Sequence, residues 1–276
     1  MSASESFGGS VSPCEFLTGW FAGLYRFDGL ILVLQGYFDE TGGHDTAALT
    51  AVAGFVFDKP ALERFTADWS PRVEGLAKPY RSALCNAGRP PFSRPDHRLM
   101  DDLATISTEA ALAGFVVAVR DSDFREAMDN GVRKLVDSPY TVCVIALLSA
   151  MGHWVKESAR KEQVHCWFES GGYHEREAQD FVRRIGDSQG AKEQFGPMGG
   201  QSWIPKESAP AFCSVDLLAW EWQRNVLRSE DQWTPRMAMM MANMRDASKP
   251  IYASHLTAAT ITHWAMFNGF YELHRD

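Results

Sequence analysis

Cysteine is scarce in this chain and poorly spaced for a structural role: five in 276 residues (Cys14, Cys85, Cys143, Cys166 and Cys213), with no CxxC pair. That spacing argues against a clustered-cysteine zinc site and against a disulfide framework, and it fits a reducing compartment. A membrane-spanning run is also missing, because the apolar stretch from Phe16 to Leu34 is broken by Arg26 and Asp28. The N-terminus carries Glu5 and no basic opening, so no signal peptide is expected, and the chain reads as soluble and cytoplasmic. Positive charge is in deficit: 27 Lys and Arg stand against 35 Asp and Glu, for a net charge of −8. Nucleic-acid binding through bulk charge is thereby excluded, whereas a local basic patch is not. No internal repeat is visible.

What is present is the material of a packed globular protein: 45% hydrophobic residues, nine Trp and seventeen Phe. Residues 1–30 read as an N-terminal extension, partly disordered over its Ser- and Gly-rich start, and residues 31–276 as a single domain. Residues 31–39 are nearly all apolar and end at an acidic turn, the pattern of a central strand. Residues 46–57 predict a second strand, antiparallel to the first through a connection at His44-Asp45. Lys59-Pro60 opens a helix with Leu62, Phe65 and Trp69 at helical spacing. Further helices are expected over 96–112, 139–161, 175–185 and 210–227, and strands over 114–120, 164–168 and 201–205. From Pro235 on, a helical C-terminal segment is expected, with a strand near Tyr252. A hairpin followed by alternating helices and strands predicts an α/β fold: a mixed sheet with flanking helices.

Two short segments nearly repeat each other. Phe38-Asp39-Glu40-Thr41-Gly42-Gly43 and Phe168-Glu169-Ser170-Gly171-Gly172 each end an apolar run in an acid, a small hydroxyl residue and a glycine turn. A carboxylate released at a strand end is where open α/β sheets place their ligands. Neighbours on a strand diverge to opposite faces, so Asp39 is the candidate ligand and Glu40 a supporting or turn residue. The third candidate is Asp216, in the apolar setting Cys213-Ser214-Val215-Asp216-Leu217-Leu218-Ala219. A carboxylate buried there needs a cation or hydrogen bonds to compensate it. The alternative is that Ser214 caps the helix and Asp216 complements its dipole; a helix beginning near Ser208 or Pro210 puts Asp216 beyond the first turn and weakens that alternative.

Three carboxylates repel one another unless a cation neutralises them. Mg²⁺ and Mn²⁺ take oxygen ligands, which makes Asp39, Glu169 and Asp216 the metal candidates. Substrate contacts are expected from Lys206, His174, Arg81 and Arg89; Lys206, just before the helix of Asp216, reads alternatively as the neutraliser of Asp216 or as a surface lysine. The two arginines belong to a basic, proline-broken insertion over 71–98, read either as a solvated loop or as a phosphate-contacting flap. Trp220 and Trp222 read as core, or as a base-stacking surface where exposed.

Tyr37-Phe38-Asp39-Glu40-Thr41-Gly42 resembles the opening Tyr-x-Asp-Glu-Ser-Gly signature of the bacterial and phage family called domain of unknown function 3800. Asp216-Leu217-Leu218-Ala219 resembles its closing Gln-x-Ala-Asp-Leu-Leu-Ala motif, and the match spans roughly residues 35 to 227. The resemblance implies a ribonuclease H-like fold and a metal-dependent nuclease, with Asp39, Glu40, Glu169 and Asp216 at the family's acidic positions. Cys213 stands where the family has Gln, and Val215 where it has Ala.

The leading expectation is a Mg²⁺- or Mn²⁺-dependent phosphodiesterase acting on RNA or DNA. The alternatives are a non-catalytic nucleic-acid- or protein-binding module of the same fold, and a carboxylate-pair hydrolase acting on a sugar or other small molecule.

Overall fold

A computed structural model of the chain describes residues 33–42, 48–76, 79–129, 136–158, 162–172, 174–187, 198–228 and 233–267. The N-terminal extension and the His44-Asp45 connection lie outside these residues.

The apolar runs form the strands. β1 (Val33–Thr41) is buried from Leu34 to Asp39, and β2 (Leu49–Phe57) is buried throughout. Burial of consecutive residues means that both sheet faces are covered. With β3 (Ala113–Arg120), β4 (Gln163–Glu169), β5 (Met198–Ile204) and β6 (Ile251–Leu256) they make one sheet in the order β5-β4-β1-β2-β3-β6. β1–β2 and β2–β3 are antiparallel; β1–β4, β4–β5 and β3–β6 are parallel. An antiparallel meander continued by two parallel strands on the side of β1, and by β6 on the side of β3, makes the mixed sheet with flanking helices that the sequence predicts.

Helix starts follow local chemistry. Asp58 caps α1 (Lys59–Val73) by accepting from the Ala61 amide at 2.8 Å, with Pro60 in the first turn. Ser138 does the same for α5 (Pro139–Glu157), accepting from Thr141 N at 3.1 Å. The other helices are α2 (Ser82–Ala87), α3 (His97–Ala110), α4 (Asp121–Asp129), α6 (Glu175–Asp187), α7 (Ala211–Arg228), α8 (Pro235–Asp246) and α9 (Ala258–Phe267). α5 packs on one face of the sheet and α7 on the other, and a hydrophobic core fills each interface.

Register is fixed by aromatic packing at the sheet centre. Phe38 pairs across β2 with Gly54, where an added Cβ would lie 2.0 Å from the Phe38 ring. On its other side Phe38 pairs with Phe168 of β4, ring centroids 5.2 Å apart. A one-residue slip would put both rings on the wrong face.

Two expectations are corrected. The 71–98 segment is not a solvated loop: Tyr80, Ser82 and Cys85 are buried, and α2 lies inside it. Its apolar residues dock it, with the Tyr80 ring edge-on to Trp69 at 5.9 Å and to Phe92 at 6.1 Å. The segment after β3, left without an element in the sequence reading, is α4, which begins with Asp121 and Asp123 and buries Phe124, Ala127 and Met128. Among the described residues, no helix is long and apolar enough to cross a membrane.

Candidate functional site

β1, β4 and β5 are adjacent and parallel, so their C-terminal ends share one edge of the sheet. Phe38 and Phe168 point into the core under α5, and their successors Asp39 and Glu169 therefore point toward α7. β5 ends at Ile204, and a single turn of 3₁₀ helix (Lys206–Ser208) follows Pro205. α7 begins at Ala211, which puts Asp216 in its second turn. Ser214 donates to Ala211 O at 2.7 Å from inside the helix, so it is no cap for Asp216 to accompany. Gly42 ends the β1 motif at φ +81°, a left-handed conformation that favours glycine.

The three acids meet at one atom. Lys206 Nζ lies 2.6 Å from Asp39 Oδ2, 2.7 Å from Glu169 Oε2 and 3.2 Å from Asp216 Oδ1. The Lys206 side chain is 3% exposed, Asp39 4%, Glu169 17% and Asp216 19%. Asp39 Oδ1 accepts from the Glu40 amide at 2.7 Å, and Asp216 Oδ2 from the Ser82 amide at 2.8 Å. Glu169 Oε2 is sealed from solvent, with the Lys206 ammonium at 2.7 Å as its partner.

The electrostatics follow from burial. Burial is the largest influence on Asp39 and pushes its carboxyl well above its usual range; Lys206 pulls the other way, and Glu169 and Asp216 add to the rise. For Glu169 burial again pushes upward, but the hydrogen bond from Asp39 and the Lys206 charge hold its pKa below the ordinary value. Burial works against the Lys206 charge, yet Asp216, Asp39 and Glu169 together hold the ammonium well above its ordinary pKa. On the opposite face, burial and the Glu169 and Glu175 charges raise Glu40 to about 7.

The structure gathers Asp39, Glu169 and Asp216, and it sets Glu40 beside them but facing away. Arg81 Nη2 is 3.9 Å from Glu169 Oε1, so one arginine of the basic segment reaches the cluster. Arg89 is exposed beyond the end of α2, and His174 faces Glu177 at 3.9 Å at the start of α6. Lys206 is turned inward onto the three acids, so of the roles expected for it the structure shows the neutralising of Asp216, at 3.2 Å, and not a phosphate contact. Cys213 is one turn before Asp216 on α7; burial pushes its thiol up to about 12, with opposing influences from Lys206 and Asp216. Sequence reasoning missed the Ser82 amide, because nothing along the chain links α2 to α7.

The cation expected between the acids is, in this arrangement, the Lys206 ammonium. Among the described residues, no group of three or more His, Cys, Asp or Glu is spaced to hold a metal ion. The donor chemistry itself fits Mg²⁺ or Mn²⁺: every ligand is a carboxyl oxygen, and three of them face one cationic position.

No protein-family model matches the chain, and no curated protein matches its sequence. Among solved structures, the chain is similar to one in the structure of the PCNA:RNase HII complex from Archaeoglobus fulgidus, at 12% identity and a TM-score of 0.38. That alignment covers 78% of this chain and 90% of the other. A similarity this low carries no functional information.

Proposed function

We propose that the Asp39–Glu169–Asp216 cluster is the centre of a divalent-metal-dependent phosphodiesterase acting on nucleic acid, and that the chain is a divergent member of the family its motifs resemble. The observation that carries this is the convergence of three carboxyls, from two strand ends and a helix, on one cationic position at the C-terminal edge of parallel strands. Asp39, Glu169 and Asp216 would hold Mg²⁺ or Mn²⁺, which when bound polarises a phosphoryl oxygen and lowers the pKa of a bound water.

The chain's own residues supply the rest. Arg81 brings positive charge to the rim of the cluster, where a phosphodiester would otherwise be repelled. From Ala211 to Arg224 the positions of α7 that are not buried are Asp216, Trp220, Gln223 and Arg224, a single stripe starting at the acids. Arg224 stacks over the Trp220 ring at 4.4 Å. Arg224 lies 3.6 Å from Glu221, whose oxygen is taken at 2.5 Å by Arg236, so most of the Arg224 charge is left for solvent or a phosphate. An aromatic face with a guanidinium beside it suits a single strand of nucleic acid.

A two-carboxylate glycosidase is the weaker reading, because three carboxyls and not two converge on one cationic position. The test is cleavage of labelled single-stranded RNA, single-stranded DNA and duplexes by purified protein with Mg²⁺, Mn²⁺ or chelator. Cleavage of at least one single strand, lost with chelator, is expected. Binding without turnover under any divalent ion would favour the non-catalytic module.

A further inference from the structure

We propose that Lys206 is an internal counter-ion that occupies the divalent cation's position in the cation-free protein and must vacate it before the cation binds. The inference rests on the functional reading above only for where the cation goes. Its own basis is the geometry of one side chain: a nearly solvent-free ammonium in contact with three carboxyls from three separate elements.

Three acids this close, one buried and two partly buried, do not stay assembled on their own. Like charges in a weakly screened site push one another apart or take up protons. Covalent structure does not hold them together here, since β1, β4 and α7 meet only through tertiary packing. Lys206 supplies the missing positive charge from within the chain. A lysine is also the residue type suited to leaving again: a compact charge on a flexible four-carbon stem, able to withdraw by rotating about its own bonds. A planar arginine fork with fixed hydrogen bonds would not yield so readily.

The backbone is placed for such a movement. Lys206 sits in a single 3₁₀ turn between β5 and α7, bounded by Pro205 and Ala209, and is not part of a strand or a long helix. When the ammonium leaves the cluster it stays beside the acids, where a phosphate drawn to the cation would meet it. The inward position seen here and the phosphate contact expected from sequence are then two positions of one side chain. Occupancy of the site by lysine and by the divalent cation is mutually exclusive, which makes apparent metal affinity weaker than the donor set alone would give.

The experiment compares wild type, Lys206→Met and, as an exposed control, Lys59→Met by Mn²⁺ calorimetry and by thermal unfolding in chelator and in excess Mn²⁺. Lys206→Met is expected to bind Mn²⁺ about tenfold or more tightly than wild type. Its Tm should fall by ~5 °C or more in chelator and recover with Mn²⁺, while Lys59→Met tracks wild type. If Lys206→Met folds only with Mn²⁺ present, that rescue supports the proposal. Equal or weaker Mn²⁺ binding by Lys206→Met, or a loss of stability that Mn²⁺ does not repair, overturns it. These readouts do not involve cleavage. A wild type that cuts nothing would defeat the phosphodiesterase while leaving the competition measurable, and active protein whose Mn²⁺ affinity ignores residue 206 would do the reverse.

Discussion

Asp39→Asn and Asp216→Asn are each expected to lower cation-dependent cleavage by about a thousandfold or more, with little change in the fold. Charge stabilisation by a bound cation at a phosphoryl group amounts to several kcal/mol, and each ~1.4 kcal/mol is a factor of ten in rate. Both substitutions remove a negative ligand without removing volume. In Asp39→Asn the amide keeps the size of the side chain, and its oxygen still accepts from the Glu40 amide now bound at 2.7 Å. In Asp216→Asn the amide oxygen still accepts from the Ser82 amide now bound at 2.8 Å. Asp102→Asn, which alters an exposed acid paired with Arg72, is the control and should cleave as wild type does. Full activity in either site variant would remove that carboxylate from the mechanism. A large drop in Tm would mean that lost activity reports lost structure.

Arg236→Ala is expected to destabilise the protein by about 3–5 kcal/mol, read from urea unfolding, whereas Arg72→Ala should cost about 0–1 kcal/mol. Both arginines pair with an acid, and burial decides between them. Arg72 and Asp102 have half-exposed side chains. Glu221 is fully buried in α7, held by Arg236 Nη1 at 2.5 Å and the Thr234 hydroxyl at 2.7 Å. Arg236 also donates to Asp101 at 2.7 Å and to His97 O at 3.3 Å, tying α7 and α8 to α3. Removing it leaves a fully buried carboxylate with only the Thr234 hydroxyl and the more distant Arg224, at 3.6 Å, in the helix that carries Asp216. Glu221→Gln, which leaves no charge to strand, should be milder than Arg236→Ala. Equal costs at Arg236 and Arg72 would show that the buried pair does not clamp these helices.

Asp39 and Glu169 could be recognised in the sequence because a strand announces its own end: an apolar run, then an acid, then glycine. The parallel pairing of Phe38 with Phe168 that sets those acids side by side is a property of two distant segments and leaves no local trace. Asp216 was visible as a carboxylate in an apolar helix, a position that demands compensation. Lys206 was a candidate to compensate it, with a surface lysine after a proline as the alternative, but its contact with Asp39 and Glu169 was not visible, since only the sheet order brings the end of β5 against the ends of β4 and β1. The basic character of the 71–98 segment concealed its docking, although Tyr80 and Phe92 between the arginines were an available signal. α4 was missed with a signal present: acids at its first and third residues, then Phe124, Ala127 and Met128 at helical spacing.

The central claim is that carboxyls from β1, β4 and α7 make one site for a divalent cation. Its most direct measurement is anomalous diffraction from crystals of the wild-type protein equilibrated with Mn²⁺. A manganese peak at bonding distance from oxygens of Asp39, Glu169 and Asp216, with the Lys206 ammonium moved off the position between them, is the predicted result. An empty site in saturating Mn²⁺, with Lys206 still seated among the three acids, would contradict it.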